Sequence, residues 1–159
     1  MNSLTQNSRS TARKAWRVHV AKPHGPFPLR GELEELIRTR YALAYGAEVH
    51  HFHPLLLGLS DGNGRLVGAI GANPAQPGAP FFLDIYLDDP IEVAVGRRVA
   101  GPVDRNSICE VGNLAGCVAG SGPALITALA AYLRAGGCEW VVFTATMELR
   151  DSLEKLAIA

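Results

Sequence analysis

Cysteine is scarce in this chain. Cys109, Cys117 and Cys138 are the only three in 159 residues, an odd number without the paired spacing of a zinc site or a disulfide framework. A reducing, cytoplasmic setting fits that usage. Net charge is lacking as well: 15 basic and 15 acidic residues cancel, so no overall field draws the chain to nucleic acid or an anionic membrane. No uninterrupted apolar run is long enough to cross a bilayer, and residues 1–14 lack the apolar centre of a secretory signal. Nucleic-acid binding by bulk charge and stable membrane insertion are therefore not expected.

What is present is a hydrophobic content of 48%, enough for a real core at this length. Residues 1–15 are polar and basic and read as a flexible tail, leaving residues 16–159 as one domain. Residues 16–20 alternate as a first strand does, and Pro23, Gly25, Pro26 and Pro28 then enforce a loop. Over residues 32–45, Leu33, Leu36, Ile37, Tyr41, Ala44 and Tyr45 recur at helical spacing, and Gly46 ends the helix. Tyr41 and Tyr45 either face a ligand or pack beneath it.

His50, His51 and His53 crowd one segment, but no Cys, Asp or further spaced His completes a ligand set, so no metal is expected. Two apolar runs flank Asp61-Gly62-Asn63-Gly64, a strong hairpin signal. Residues 81–87 fit a strand or a short helix, another short element begins at Pro90, and residues 96–106 read as a basic loop. Gly136-Gly137 closes a long apolar helix. Residues 139–146 then form a buried strand, and residues 148–156 an amphipathic helix.

The informative stretch is residues 108–133, where a strand passes through Gly120-Ser121-Gly122 directly into that long helix. Pro123 suits a first helical turn, and the free amides and dipole there favour phosphate oxygens. A P-loop would need Lys and Ser/Thr where Pro123 and Ala124 stand. A dinucleotide fingerprint would need a small residue at Leu125 and an acid after the next strand, whereas Glu139 precedes it. Cys117 to Gly122 instead resembles the Q/R-x-x-G-x-G/A loop that cradles coenzyme A diphosphate in GNAT acyltransferases, with Cys117 in place of the usual cation. An ordinary α/β turn would show the same glycines.

The order of elements is also that of GNAT domains: helix, hairpin, loop and strand, glycine turn, long helix, apolar strand, helix. More narrowly, Arg40-Tyr41, Tyr45-Gly46-Ala47, His53-Pro54-Leu55-Leu56, residues 82–87, Pro90-Ile91-Glu92, residues 110–115, and Trp140 with residues 143–146 together resemble the thermostable hemolysin family, over residues 30–158. That pattern lies beside GNAT acyltransferases and acyl-homoserine-lactone synthases. The resemblance implies an α/β mixed sheet of GNAT type with one or two further strands. The sequence ends at Ala159, so those strands are expected to lie outside this chain or to come from a partner.

The resemblance further implies an N-acyltransferase that takes its acyl group from acyl-CoA or a phosphopantetheine thioester on an acyl carrier protein. The acceptor is expected to be a small-molecule amine, with no metal, and a homodimer is left open. The pantetheine arm would lie between the strands at residues 111–115 and 141–145, with Leu114 and Ala115 amides stabilising the oxyanion. Cys117, Val118, Gly120, Ser121, Gly122 and Ala124 would hold the phosphate end. Thr144 would lie beside the arm, and Thr144, Thr146, Ser152 or water would protonate the thiolate. Without a cation at Cys117 the diphosphate grip weakens, which favours a carrier protein.

Glu110 is the first choice of base, because a carboxylate inside an apolar strand must be paired or functional. A salt bridge to Arg40 or Arg105 would satisfy it equally. Asp84 and His53 follow as catalytic candidates, and Asn113 either orients the donor or braces a bulge. A ping-pong route through Cys117 competes with cysteines as small buried hydrophobes. Two further readings stay open: a haemolysin-like membrane-active protein, and a non-catalytic carrier-binding module.

Overall fold

A computed structural model describes residues 15–25 and 28–144. Five strands form one sheet in the order β1 (Arg17–Ala21), β2 (Leu55–Ser60), β3 (Leu66–Pro74), β4 (Ile108–Gly116) and β5 (Trp140–Val142). Pairing is antiparallel from β1 to β4 and parallel between β4 and β5. The expected hairpin is β2–β3. Its turn is fixed by the Asp61 carboxylate, which accepts from the Asn63 and Arg65 amides at 3.0 Å each, and by Gly64 at φ 82°.

Helix α1 (Leu29–Tyr45) covers one face of the sheet and α3 (Ser121–Ala135) the other. Leu33 and Ile37, four apart on α1, are fully buried against Leu56, Ala69 and Ala115. Leu125, Leu129 and Leu133 repeat the spacing on α3 and pack on Leu55, Leu57, Leu59 and Val67. Each such side chain contributes roughly 1.5–3 kcal/mol by leaving water. Covered on both sides, β2 can be apolar at nearly every position.

Two expectations need correction. Helix α1 begins at Leu29 rather than at residue 32, and its first turn is tied down by Arg30, which pairs with Glu34 at 2.9 Å. Residues 96–99 are not loop but the end of α2 (Ile91–Val99). Gly96 is needed there because a Cβ would meet the Gly101 carbonyl at 2.8 Å, so this glycine permits a close return rather than breaking the helix. Of the two forms open to residues 81–87 the short helix is the one present, a 3-10 helix over Phe82–Tyr86, for a reason that lies in β4. The expected tail at residues 1–15 falls outside the described residues except for residue 15, as does the helix at residues 148–156 entirely. Of the strand expected at residues 139–146, residues 140–142 are strand, 143 and 144 are not, and the remainder lies outside the description.

Candidate active site

Strand β4 carries most of the site. It pairs with β5 only from Ile108 opposite Trp140 to Glu110 opposite Val142. From Val111 onward its β5-facing edge has no strand partner among the described residues. On the other edge, pairing with β3 slips between Gly71↔Gly112 and Ala69↔Ala115, so β4 contains extra chain. Asn113 is the bulged residue, at φ 52°, a conformation that asparagine tolerates better than other side chains.

The Asn113 side chain fastens a loop to that bulge. Its Oδ1 accepts from the His53 amide at 3.0 Å, and its Nδ2 donates to the His51 carbonyl at 3.3 Å. From the other side, the Arg30 guanidinium donates to the carbonyls of Pro54 (2.8 Å) and His53 (3.0 Å). The His53 ring consequently lies over Gly71 and Gly112, which face each other across β3 and β4. A Cβ at Gly112 would stand 2.6 Å from Nε2, and one at Gly71 would stand 3.1 Å from Cδ2. Burial lowers the His53 pKa below the ordinary value, with the Glu110 charge opposing, so the ring is neutral at neutral pH.

Glu110, 3% exposed, has neither Arg40 nor Arg105 as its partner. Its two oxygens accept from the backbone amides of Phe82 (3.0 Å) and Leu83 (2.9 Å). Those bonds wind the segment into its 3-10 helix, against the strand alternative. Asp84 is likewise engaged: Arg105 lies 2.5 Å away, and the Phe81 and Ile91 amides donate at 2.8 and 3.1 Å. Hydrogen bonding to Arg105 holds the Asp84 carboxyl below its usual value. Among the three base candidates, Glu110 accepts from two donors and Asp84 from three, whereas the His53 ring makes no hydrogen bond among the described residues.

Beyond the bulge, the Tyr41 phenol of α1 faces the main chain of Leu114. Burial, reinforced by Tyr45, pushes the phenol upward. Ala115 is buried beneath α1. The glycine turn follows, where the Cys117 amide donates to Val67 at 3.0 Å. Fully buried Ser121 staples this turn, donating to the Val118 carbonyl at 2.8 Å and accepting from the Val118 amide at 3.4 Å. The Ala124 amide is taken by the Gly120 carbonyl at 3.2 Å. Of the expected phosphate-binding amides, those of Gly120 and Gly122 remain without an acceptor among the described residues. Gly120 caps α3 at φ 87°, and a Cβ on Gly122 would meet nothing within 4 Å.

Burial raises the Cys117 thiol, and two cations oppose it: Arg40 from α1 and Arg65 from the hairpin. Two cations from elsewhere in the fold thus bear on the Cys117 side chain. Thr144 is exposed just past β5. No three His, Cys, Asp or Glu side chains converge on a metal geometry among the described residues; His50 pairs with Glu48 instead. Arg30, Arg65 and the Gly71–Gly112 pair escaped the sequence reading, although glycine inside a strand signals close approach by another group.

The sheet with a bulged central strand, open beside β5 and running through a glycine turn into α3, has the GNAT fold. An N-acyl amino acid synthase from uncultured soil microbes superposes with a TM-score of 0.61 at 19% identity, covering 90% of this chain and 77% of that one. A GNAT family acetyltransferase from Brucella melitensis, in complex with acetyl-CoA, gives 0.54 at 13% identity over 86% and 81%. An aminoglycoside acetyltransferase from an uncultured soil metagenomic sample, in complex with sisomicin, gives 0.53 at 14% over 89% and 85%. No curated protein matches the sequence. The thermostable hemolysin family profile matches residues 26–159, and the chain belongs to that family.

Proposed function

We propose that this protein is an N-acyltransferase that moves an acyl group from a pantetheine thioester to the amine of a small molecule. The observation that carries the reading is the parting of β4 from β5 after Glu110, beside the Asn113 bulge and the clamped, neutral His53. An open strand edge can take up an extended amide chain as an added strand, and pantetheine is such a chain. The similar folds of an N-acyl amino acid synthase and of an acetyltransferase holding acetyl-CoA support this.

The chemistry follows from the groups present. His53 accepts the proton of the attacking amine as its nitrogen bonds to the thioester carbon. The Leu114 amide receives the carbonyl oxygen as it becomes negative; the Ala115 amide does not share in this, because in register with Ala69 it faces β3. The tetrahedral intermediate then expels the thiolate, and Tyr41, kept protonated by burial, is placed to return a proton. Thr144 lies beside the departing arm. The Gly120 and Gly122 amides, with Arg40 and Arg65, hold the phosphate end. That pair of cations suits the diphosphate of free coenzyme A, whereas a carrier protein would offer one phosphodiester.

The test is a mass-spectrometric screen of acyl-CoA and acyl-carrier donors against amino acids and other amines. Amide product with wild-type protein, lost on His53→Ala, is expected. No product and no thioester binding across the panel would overturn the reading. Among the described residues no helix is long and apolar enough to cross a membrane.

A further inference from the structure

The geometry points to Asn113 as a positioning residue that acts through His53: it holds the imidazole against Gly112 from the same bulge that aims the Leu114 amide. The inference rests on the acyl-transfer reading for its chemical meaning, but its geometry stands alone. A bulge that serves only to kink β4 would need no particular side chain. Here the bulged side chain reaches across to residues 60 and 62 positions earlier and spends both ends of its amide on the loop that presents His53. Its Oδ1 also lies 2.8 Å from where a Gly71 Cβ would stand, so both glycines open the space for this arrangement.

The consequence is a fixed distance between two groups that must meet one substrate. The amine and the thioester carbonyl react at one carbon, so a base and an oxyanion donor are useful only in fixed relation. Asn113 supplies that relation because the Leu114 amide is the next one along the chain, while His53 hangs from the Asn113 side chain. Three other charged groups bear on the ring or its loop: Glu110 on β4, and Arg30 with its partner Glu34 on α1. None reaches the His53 amide, which Asn113 alone receives among the described residues.

Asn113→Gly is the informative variant, since glycine keeps the positive φ without strain and removes only the side-chain bonds. In the wild type, the His53 imidazole followed by NMR should titrate below 6.5. In Asn113→Gly the loosened ring gains water, and its midpoint should move up toward 6.5. The acid limb of kcat/KM should follow it. Turnover should fall by about tenfold or more while the donor KM stays within roughly twofold, the mark of misplacement rather than lost binding. Asn113→Asp, which keeps the acceptor for the His53 amide, should recover part of the turnover and serves if the glycine variant folds poorly. An identical His53 titration in wild type and in a folded variant would overturn the inference, as would unchanged turnover and acid limb. If the wild type transfers no acyl group, the proposed function fails, yet the NMR comparison still decides whether Asn113 fixes the ring.

Discussion

Gly112→Ala is the sharpest probe of the His53 clamp, because its effect can be worked out from one distance. The new methyl would stand 2.6 Å from Nε2 and 3.2 Å from Cδ2 of His53. Comfortable contact begins at about 3.5 Å, so the ring must retreat by roughly 0.9 Å. Its loop is bonded to Asn113 and Arg30 and cannot follow as a unit without breaking those bonds. A displacement of about 1 Å at a reacting group costs about a hundredfold in rate. Overpacking of this kind also costs about 1–3 kcal/mol, or several degrees in Tm. Turnover measured by release of free thiol at saturating donor, beside thermal unfolding, separates the two effects. Gly58→Ala is the control: its methyl would lie 2.5 Å from Leu33 Cδ2, an equal crowding under α1 and away from His53. It should lower Tm similarly and leave the acid limb of the pH profile in place. A folded Gly112→Ala protein that turns over within twofold of wild type would refute the clamp.

Glu110→Gln removes the charge that accepts from Phe82 and Leu83 and should cost about 1–3 kcal/mol in chemical denaturation. Because the Glu110 charge raises the His53 pKa, the acid limb should move to lower pH in this variant, whereas loss of a general base would abolish turnover outright. Arg40→Ala and Arg65→Ala should each raise KM for free acyl-CoA by up to about tenfold with kcat kept, an effect that fades at high salt. Equal KM for wild type and the double variant at low salt would remove these arginines from the donor site. Burial pushes the Cys109 thiol up to about 12, so Cys109 should resist alkylation at pH 8 in the native protein and react on unfolding. Burial raises Cys117 as well, and Cys117→Ser should keep full turnover; its loss would revive a covalent acyl-enzyme.

Much of the frame was legible locally. The hairpin could be read because Asp61, Gly62, Asn63 and Gly64 specify their own turn, and α1 and α3 because their leucines keep a helical spacing. At Phe82–Tyr86 the choice between strand and short helix was not legible, since the winding depends on a carboxylate almost thirty residues later. For the same reason Glu110 could be flagged as unusual but its partners could not be named: backbone amides carry no sequence signature. Gly96 misled because glycine marks both helix ends and tight packing, and only the Gly101 carbonyl shows which applies. The missing cation at Cys117 was visible. That Arg40 and Arg65 bear on the Cys117 side chain could be seen only in the fold, because these residues stand 77 and 52 positions away in sequence.

The way Glu110 grips the Phe82–Tyr86 segment has an evolutionary corollary. The carboxylate touches only main-chain amides, so the mount is blind to which side chains the segment displays. Phe82, Ile85 and Tyr86 project into solvent at 60, 67 and 67% exposure and can be exchanged without loosening it. The likeness to the family over residues 82–87 is therefore not explained by this mount.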